Sequence, residues 1–153
     1  MSGFEEKLAE LGLKLPEAPA PAANYVPYVI SGTLVFVSGQ ISLGPDGPIR
    51  GRLGDGMDVA AGKAAAQACG LALIAQLRAA LGGDLSRLVQ VVKLTGFVNS
   101  TPDFTDQPSV INGTSDLMVA VFGDRGRHAR AAVGCAALPL GVAVEVEGIF
   151  RIA

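Results

Sequence analysis

Three charged side chains sit where an apolar strand would not ordinarily carry them. Arg130 opens the run Ala129-Arg130-Ala131-Ala132-Val133, and Glu145 and Glu147 alternate with Val144 and Val146. Side chains alternate across a strand, so the two glutamates share one face and the two valines the other. A guanidinium grips a carboxylate in a fixed fork, and a nearby glutamate can move a proton or orient a water. Together they outline a site for a small acid. The segments around them, His128 to Pro139 and Val142 to Ile149, read as two strands joined by Leu138-Pro139-Leu140-Gly141.

Other chemistry is thin. His128 is the sole histidine, which leaves no multi-histidine metal site and makes a Ser-His-Asp triad a poor reading; it reads as a surface loop residue. Cys69 and Cys135 lie in apolar contexts without zinc-ligand spacing and read as reduced, buried thiols. Gly51, Gly54 and Gly56 are not followed by Gly-Lys-Ser/Thr, so loop flexibility explains them better than a phosphate cradle. Asp103 and Asp106 fit compensation of a helix dipole rather than a metal site. None of these residues outlines a metal site.

Composition narrows the partners. A net charge of −2, with twelve scattered Lys and Arg, argues against a nucleic-acid surface. Six Phe and two Tyr are too few for a base-stacking platform. Half of the 153 residues are hydrophobic, more than a monomer core of this size needs, which leaves apolar surface for a subunit interface. No signal peptide or membrane span is visible, and the expected location is the cytoplasm.

The elements that position the charged residues follow from periodicity. Ser2 and Glu5 fit a capping box before a short helix carrying Phe4, Leu8 and Leu11. Pro16, Pro19, Pro21 and Pro27 mark an extended connector, so residues 1–27 read as a helix plus linker and 28–153 as one domain. Tyr28 to Ile30 and Thr33 to Ile41 read as paired strands, and Gly44 to Pro48 as a turn cluster. A helix is expected from an Asp58 cap to Leu81, stopped by Gly82-Gly83, and a strand from Leu88 to Val98. A second helix, capped by Asp103 or Thr101 with Pro108 in its first turn, runs to about Phe122. The order β-β-α-β-α-β-β gives an α+β sandwich with two helices on one face of a mixed sheet.

Pro27-Tyr28-Val29, Val35 to Ile41, Val110-Ile111-Asn112, His128 to Val133, Leu138-Pro139 and Val144 to Glu147 occur in this order across most of residues 27–150. In this the chain resembles the Rid family of imine/enamine deaminases, also called YjgF/YER057c/UK114 or endoribonuclease L-PSP. The resemblance implies a chorismate-mutase-like fold and a homotrimer with a ligand cleft between neighbouring subunits. It implies that Arg130 binds a substrate carboxylate and Glu145 positions the attacking water. Tyr28 and Asn112 would line the cleft, and backbone near Ser38 and Gly39 would hold the substrate. The implied reaction is hydrolysis of a 2-imino or enamino acid to a 2-keto acid and ammonia, without cofactor. The N-terminal segment resembles that of a longer subgroup.

One departure stands out: active members commonly carry a cysteine two residues after the arginine, where this chain has Ala132. That favours, as an alternative, a non-catalytic module binding a small carboxylate in the same cleft. Ribonuclease activity is disfavoured by the acidic charge balance and the lack of a histidine pair.

Overall fold

The computed structural model describes residues 3–18 and 23–153. Ser2, and with it the Ser2–Glu5 capping box, lies outside the described residues, as do Pro19 and Pro21 of the connector. Helix α1 (Gly3–Glu10) comes first, then strands β1 (Tyr28–Ser31) and β2 (Leu34–Ile41). Two short ladders follow, β3 (Leu43–Gly44) with β4 (Gly47–Pro48) and β5 (Arg52–Leu53) with β6 (Gly56–Met57). Helix α2 (Val59–Ala80), β7 (Leu88–Asn99), α3 (Gln107–Phe122), β8 (Ala129–Cys135) and β9 (Val144–Ile152) complete the chain.

The main sheet has the order β1-β2-β9-β7-β8, mixed because β8 runs parallel to β7 while the other pairs are antiparallel. Parallel neighbours need a crossover, which α3 supplies. The last two strands, adjacent in sequence, are therefore not partners: β7 lies between them, and β9 is central. Helices α2 and α3 cover one face. Val35, Val37, Leu94, Val98, Val144, Val146 and Phe150 from the strands close a single core with Leu73, Ile74, Ile111 and Met118 from the helices. Each fully buried Val, Leu, Ile or Phe adds about 1.5–3 kcal/mol. The helices pack tightly because Gly113 has no side chain: a Cβ there would lie 2.1 Å from the Lys63 carbonyl oxygen.

Asp58 caps α2 as expected, its Oδ1 accepting from the Ala61 amide at 2.8 Å. Helix α3 starts later than expected. A proline inside a helix clashes with the carbonyl four residues back, so Pro108 allows less than one preceding turn. The cap position is Asp106, whose carboxylate accepts from the Ser109 hydroxyl at 2.6 Å, so Asp103 and Thr101 both precede the helix. The glycine-rich loop also differs from a flexible one. Gly54 and Gly56 have φ of +87° and +86°, the left-handed conformations the β5–β6 ladder requires.

Helix α1 docks on the helical layer. Leu8 joins the core, the Phe4 ring meets Phe122 edge-on at 4.9 Å, and Arg78 Nε donates to Glu5 Oε1 at 2.7 Å. Among the described residues no helix covers the opposite face of the sheet. There the paired rows Val29–Phe36–Ile149 and Ile41–Glu145–Phe97–Val133 run across it, with Val29, Phe36 and Val133 exposed.

Candidate active site

Arg130 is set in β8 at the sheet edge, level with the buried Leu94 of β7, so it projects on the helical face toward α3. Its Nη1 donates to Asn112 Oδ1 at 2.7 Å and to Ser115 Oγ at 3.1 Å. Asn112 and Ser115 are three residues apart on α3, hence on one helix face. The chain of bonds continues. His128 Nδ1 is 2.6 Å from the Gly126 carbonyl oxygen, and Nε2 is 2.9 Å from Ser115 Oγ. A carbonyl only accepts, so Nδ1 carries the proton, Nε2 accepts from the Ser115 hydroxyl, and that oxygen's lone pair faces Arg130. Both Nη1 protons are thus committed inward. The guanidinium's Nε–Nη2 edge, with no acceptor among the described residues, remains open for an incoming carboxylate.

Glu145 occupies the other side of the sheet. Val144 and Val146 are buried under the helices, so Glu145 points the opposite way, between Ile41 and Phe97. In β2 the register slips between Val37 and Gln40, a bulge at Ser38-Gly39 of the kind found beside active sites. The Glu145 carboxylate lies across the bare Gly39: a Cβ there would be 2.2 Å from Oε2. No described residue donates a hydrogen bond to it. Burial, and secondarily the charge of Glu147, raise its pKa above the ordinary glutamate value. The carboxylate opens into a cleft of about 430 Å³ lined also by Ser38, Gly39, Gln76, Tyr25 and Pro27.

Ser38 spends its hydroxyl on the Val26 carbonyl at 2.9 Å, and its amide donates to the Pro27 carbonyl at 2.8 Å, fixing the connector beside the bulge. Tyr28 is half-buried against the core; Tyr25 is the tyrosine lining the cleft. Cys69 is buried beneath, its thiol 3.4 Å from the Val144 carbonyl oxygen and pushed well up by burial, which leaves it unreactive.

The expected residues thus fall into two groups, Arg130 with Asn112, and Glu145 with Ser38 and Gly39. Three residues of β7 and two strand spacings separate Glu145 from Arg130, about 10 Å along the sheet and about 10 Å across it, on opposite faces. One chain does not bring them together. Sequence reading missed Ser115, although its i+3 spacing from Asn112 was visible. The sequence context of His128 suggests a surface loop residue, and only the fold brings its ring to Ser115. Gln76 was detectable as a lone polar residue in the apolar run Leu73 to Leu77. Among the described residues no three His, Cys, Asp or Glu side chains cluster as metal ligands do, and no helix is long and apolar enough to cross a membrane.

Relatives share this architecture. The Trypanosoma cruzi protein TCP17 is 53% identical over 147 residues, 95% of this chain and 91% of that protein. The crystal structure of the Agrobacterium tumefaciens protein Atu1372 matches with 48% identity and a TM-score of 0.91, covering 99% of this chain and 94% of that one. Escherichia coli TdcF, crystallised with bound serine, matches at 25% identity and a TM-score of 0.62, covering 92% of this chain and 99% of its own. Residues 5–149 match the family described as YjgF/chorismate-mutase-like endoribonuclease, and the chain belongs to that family.

Proposed function

We propose that the protein is a cofactor-free hydrolase of 2-imino acids, acting in clefts shared between subunits of a homotrimer. The observation that carries this reading is the Glu145 carboxylate: free of hydrogen-bond donors among the described residues, raised in pKa, and lining a cleft. A base tuned upward from the ordinary glutamate value is better matched to deprotonating water near neutral pH. The open edge of Arg130 suits the carboxylate that every 2-imino acid carries, and the relative TdcF binds an amino acid, serine. The two halves meet when β8 of one subunit approaches the β2 bulge of its neighbour, and the uncovered apolar rows of the sheet supply the contact.

In such a cleft Arg130 fixes the substrate carboxylate. Glu145 takes a proton from water as the oxygen adds to the protonated imine carbon, giving a carbinolamine. The carboxyl returns that proton to nitrogen and takes up the proton of the new hydroxyl as the C–N bond breaks; a 2-keto acid forms, and the departing ammonia carries the last proton away as ammonium. Orientation supplies much of the rate because the imine is already electrophilic.

The test uses imines generated by an amino-acid oxidase, their disappearance followed by semicarbazide trapping. Arg130→Ala and Glu145→Gln should each abolish acceleration. Co-refolding the two inactive variants in equal amounts should restore about one quarter of wild-type activity, since one ordered subunit pair in four then offers both intact halves. No acceleration by wild type refutes the deaminase, and no recovery on mixing refutes the shared cleft.

A further inference from the structure

The cleft beside Glu145 has a feature that the hydrolytic chemistry does not use. Gln76 lies on α2 one turn beyond Ala72, and both residues line the cavity. Gln76 is 1% exposed, and neither its Oε1 nor its Nε2 finds a hydrogen-bond partner among the described residues. Its neighbours Leu73, Ile74, Ala75 and Leu77 are all buried and apolar, so a leucine or methionine would satisfy the packing without burying an unpaired amide. A buried, unpartnered amide in the wall of a cavity is a recognition element whose partner arrives with the ligand.

We infer that Gln76 determines specificity, reading a neutral hydrogen-bonding group, a carboxamide or hydroxyl, on the side chain of the 2-imino acid; this rests on the hydrolase reading. The amide offers one donor and one acceptor side, which matches a group that itself both donates and accepts. Acidic side chains are disfavoured because Glu145 and Glu17 share the cavity, among the described residues of the same chain no Lys or Arg lines it, and the neighbour's Arg130 is taken by the substrate carboxylate. Basic side chains would leave the Nε2 protons without an acceptor. Connector residues Pro16, Glu17 and Tyr25 close the same cavity, placing the N-terminal segment around the side-chain end of the ligand.

The experiment compares two 2-keto acids of nearly equal shape, 2-oxosuccinamate and 4-methyl-2-oxopentanoate. Their dissociation constants are measured by calorimetry on the assembled wild-type protein and on Gln76→Leu and Gln76→Met. The corresponding imines are run in the hydrolysis assay alongside. Wild type should bind the carboxamide at least about tenfold more tightly, as a polar site rejects the apolar isostere. Both variants should lose or invert that preference while melting at or above the wild-type temperature. An unchanged ratio in whichever variant folds, a wild-type preference for the apolar acid, or binding of neither acid overturns the inference. The two readings fail separately: a Gln76-dependent binding preference without hydrolysis removes only the enzymatic reading, and hydrolysis with no such preference removes only this one.

Discussion

Replacing Gly39 with alanine should cripple the reaction while sparing the fold. The added Cβ would lie 2.2 Å from Glu145 Oε2, 3.0 Å from Cδ and 3.2 Å from Cγ. Ordinary contact begins near 3.4 Å, so the carboxylate must retreat by more than about 1 Å. Gly39 has no positive φ, so alanine suits the backbone, and the obstruction is the end of a flexible side chain that can swing away. The folding cost should therefore stay within about 1 kcal/mol. Catalysis is less forgiving: a displacement of that size costs on the order of 100-fold in kcat, or about 2.7 kcal/mol of transition-state stabilisation. The assay is steady-state imine hydrolysis beside thermal melts of Gly39→Ala, Glu145→Gln and the double variant. Because the glycine acts through the glutamate, the double variant should be no slower than Glu145→Gln alone. A Gly39→Ala enzyme with wild-type kcat, or a double variant losing the sum of the two effects, would refute the reasoning.

Ionised Glu145 is disfavoured by the fold, so its share of stability is fully present below the ordinary value of 4.5 and is lost as pH rises through the raised folded value. Glu145→Gln should therefore melt higher than wild type near neutral pH, with the gap closing in melts below about pH 4.5. The rate, needing the carboxylate, should climb with pH through that raised value, and Glu147→Gln should shift the limb downward, since Glu147 contributes to the rise. Ser115→Ala removes one acceptor of Arg130 and uncouples His128. Steady-state kinetics should show KM up by about tenfold with kcat changed less, the signature of a loosened carboxylate grip. Phe36→Asp puts a charge into the uncovered apolar row, and sedimentation should find particles near the 15.6 kDa chain mass, without hydrolytic activity.

The sequence made the layers legible and left the pairing obscure. Alternation of Val144 and Val146 with the two glutamates revealed which face of β9 would be buried, and Asp58 with Gly82-Gly83 bracketed α2. Period-2 and period-3.6 patterns report local exposure, which is why these readings hold. Strand order depends on contacts distant in sequence, so β8 and β9 read as a pair although β7 separates them. The same limit governed the site. Arg130 and Glu145 were identifiable by type, as charges on apolar strands. That they lie on opposite faces, or that His128 reaches Arg130 through Ser115, depends on register and on α3 packing, which no local pattern records.

The central place of β9 bears on how the chain comes off the ribosome. Among the described residues β9 is the only strand that joins the β1–β2 hairpin to the β7–β8 pair, and its residues, 144–152, are synthesised after the other strands of the sheet. Until they emerge, a nascent chain has two unlinked fragments, each with an unpaired edge open to other chains. Helix α1, made before every strand of the sheet, must likewise wait for Phe122 before Phe4 can dock. Sheet closure is therefore postponed until residue 152 has emerged. A message truncated even a dozen codons before residue 152 would yield an aggregation-prone product rather than a weakened enzyme, and the burden of shielding those edges would fall on chaperones.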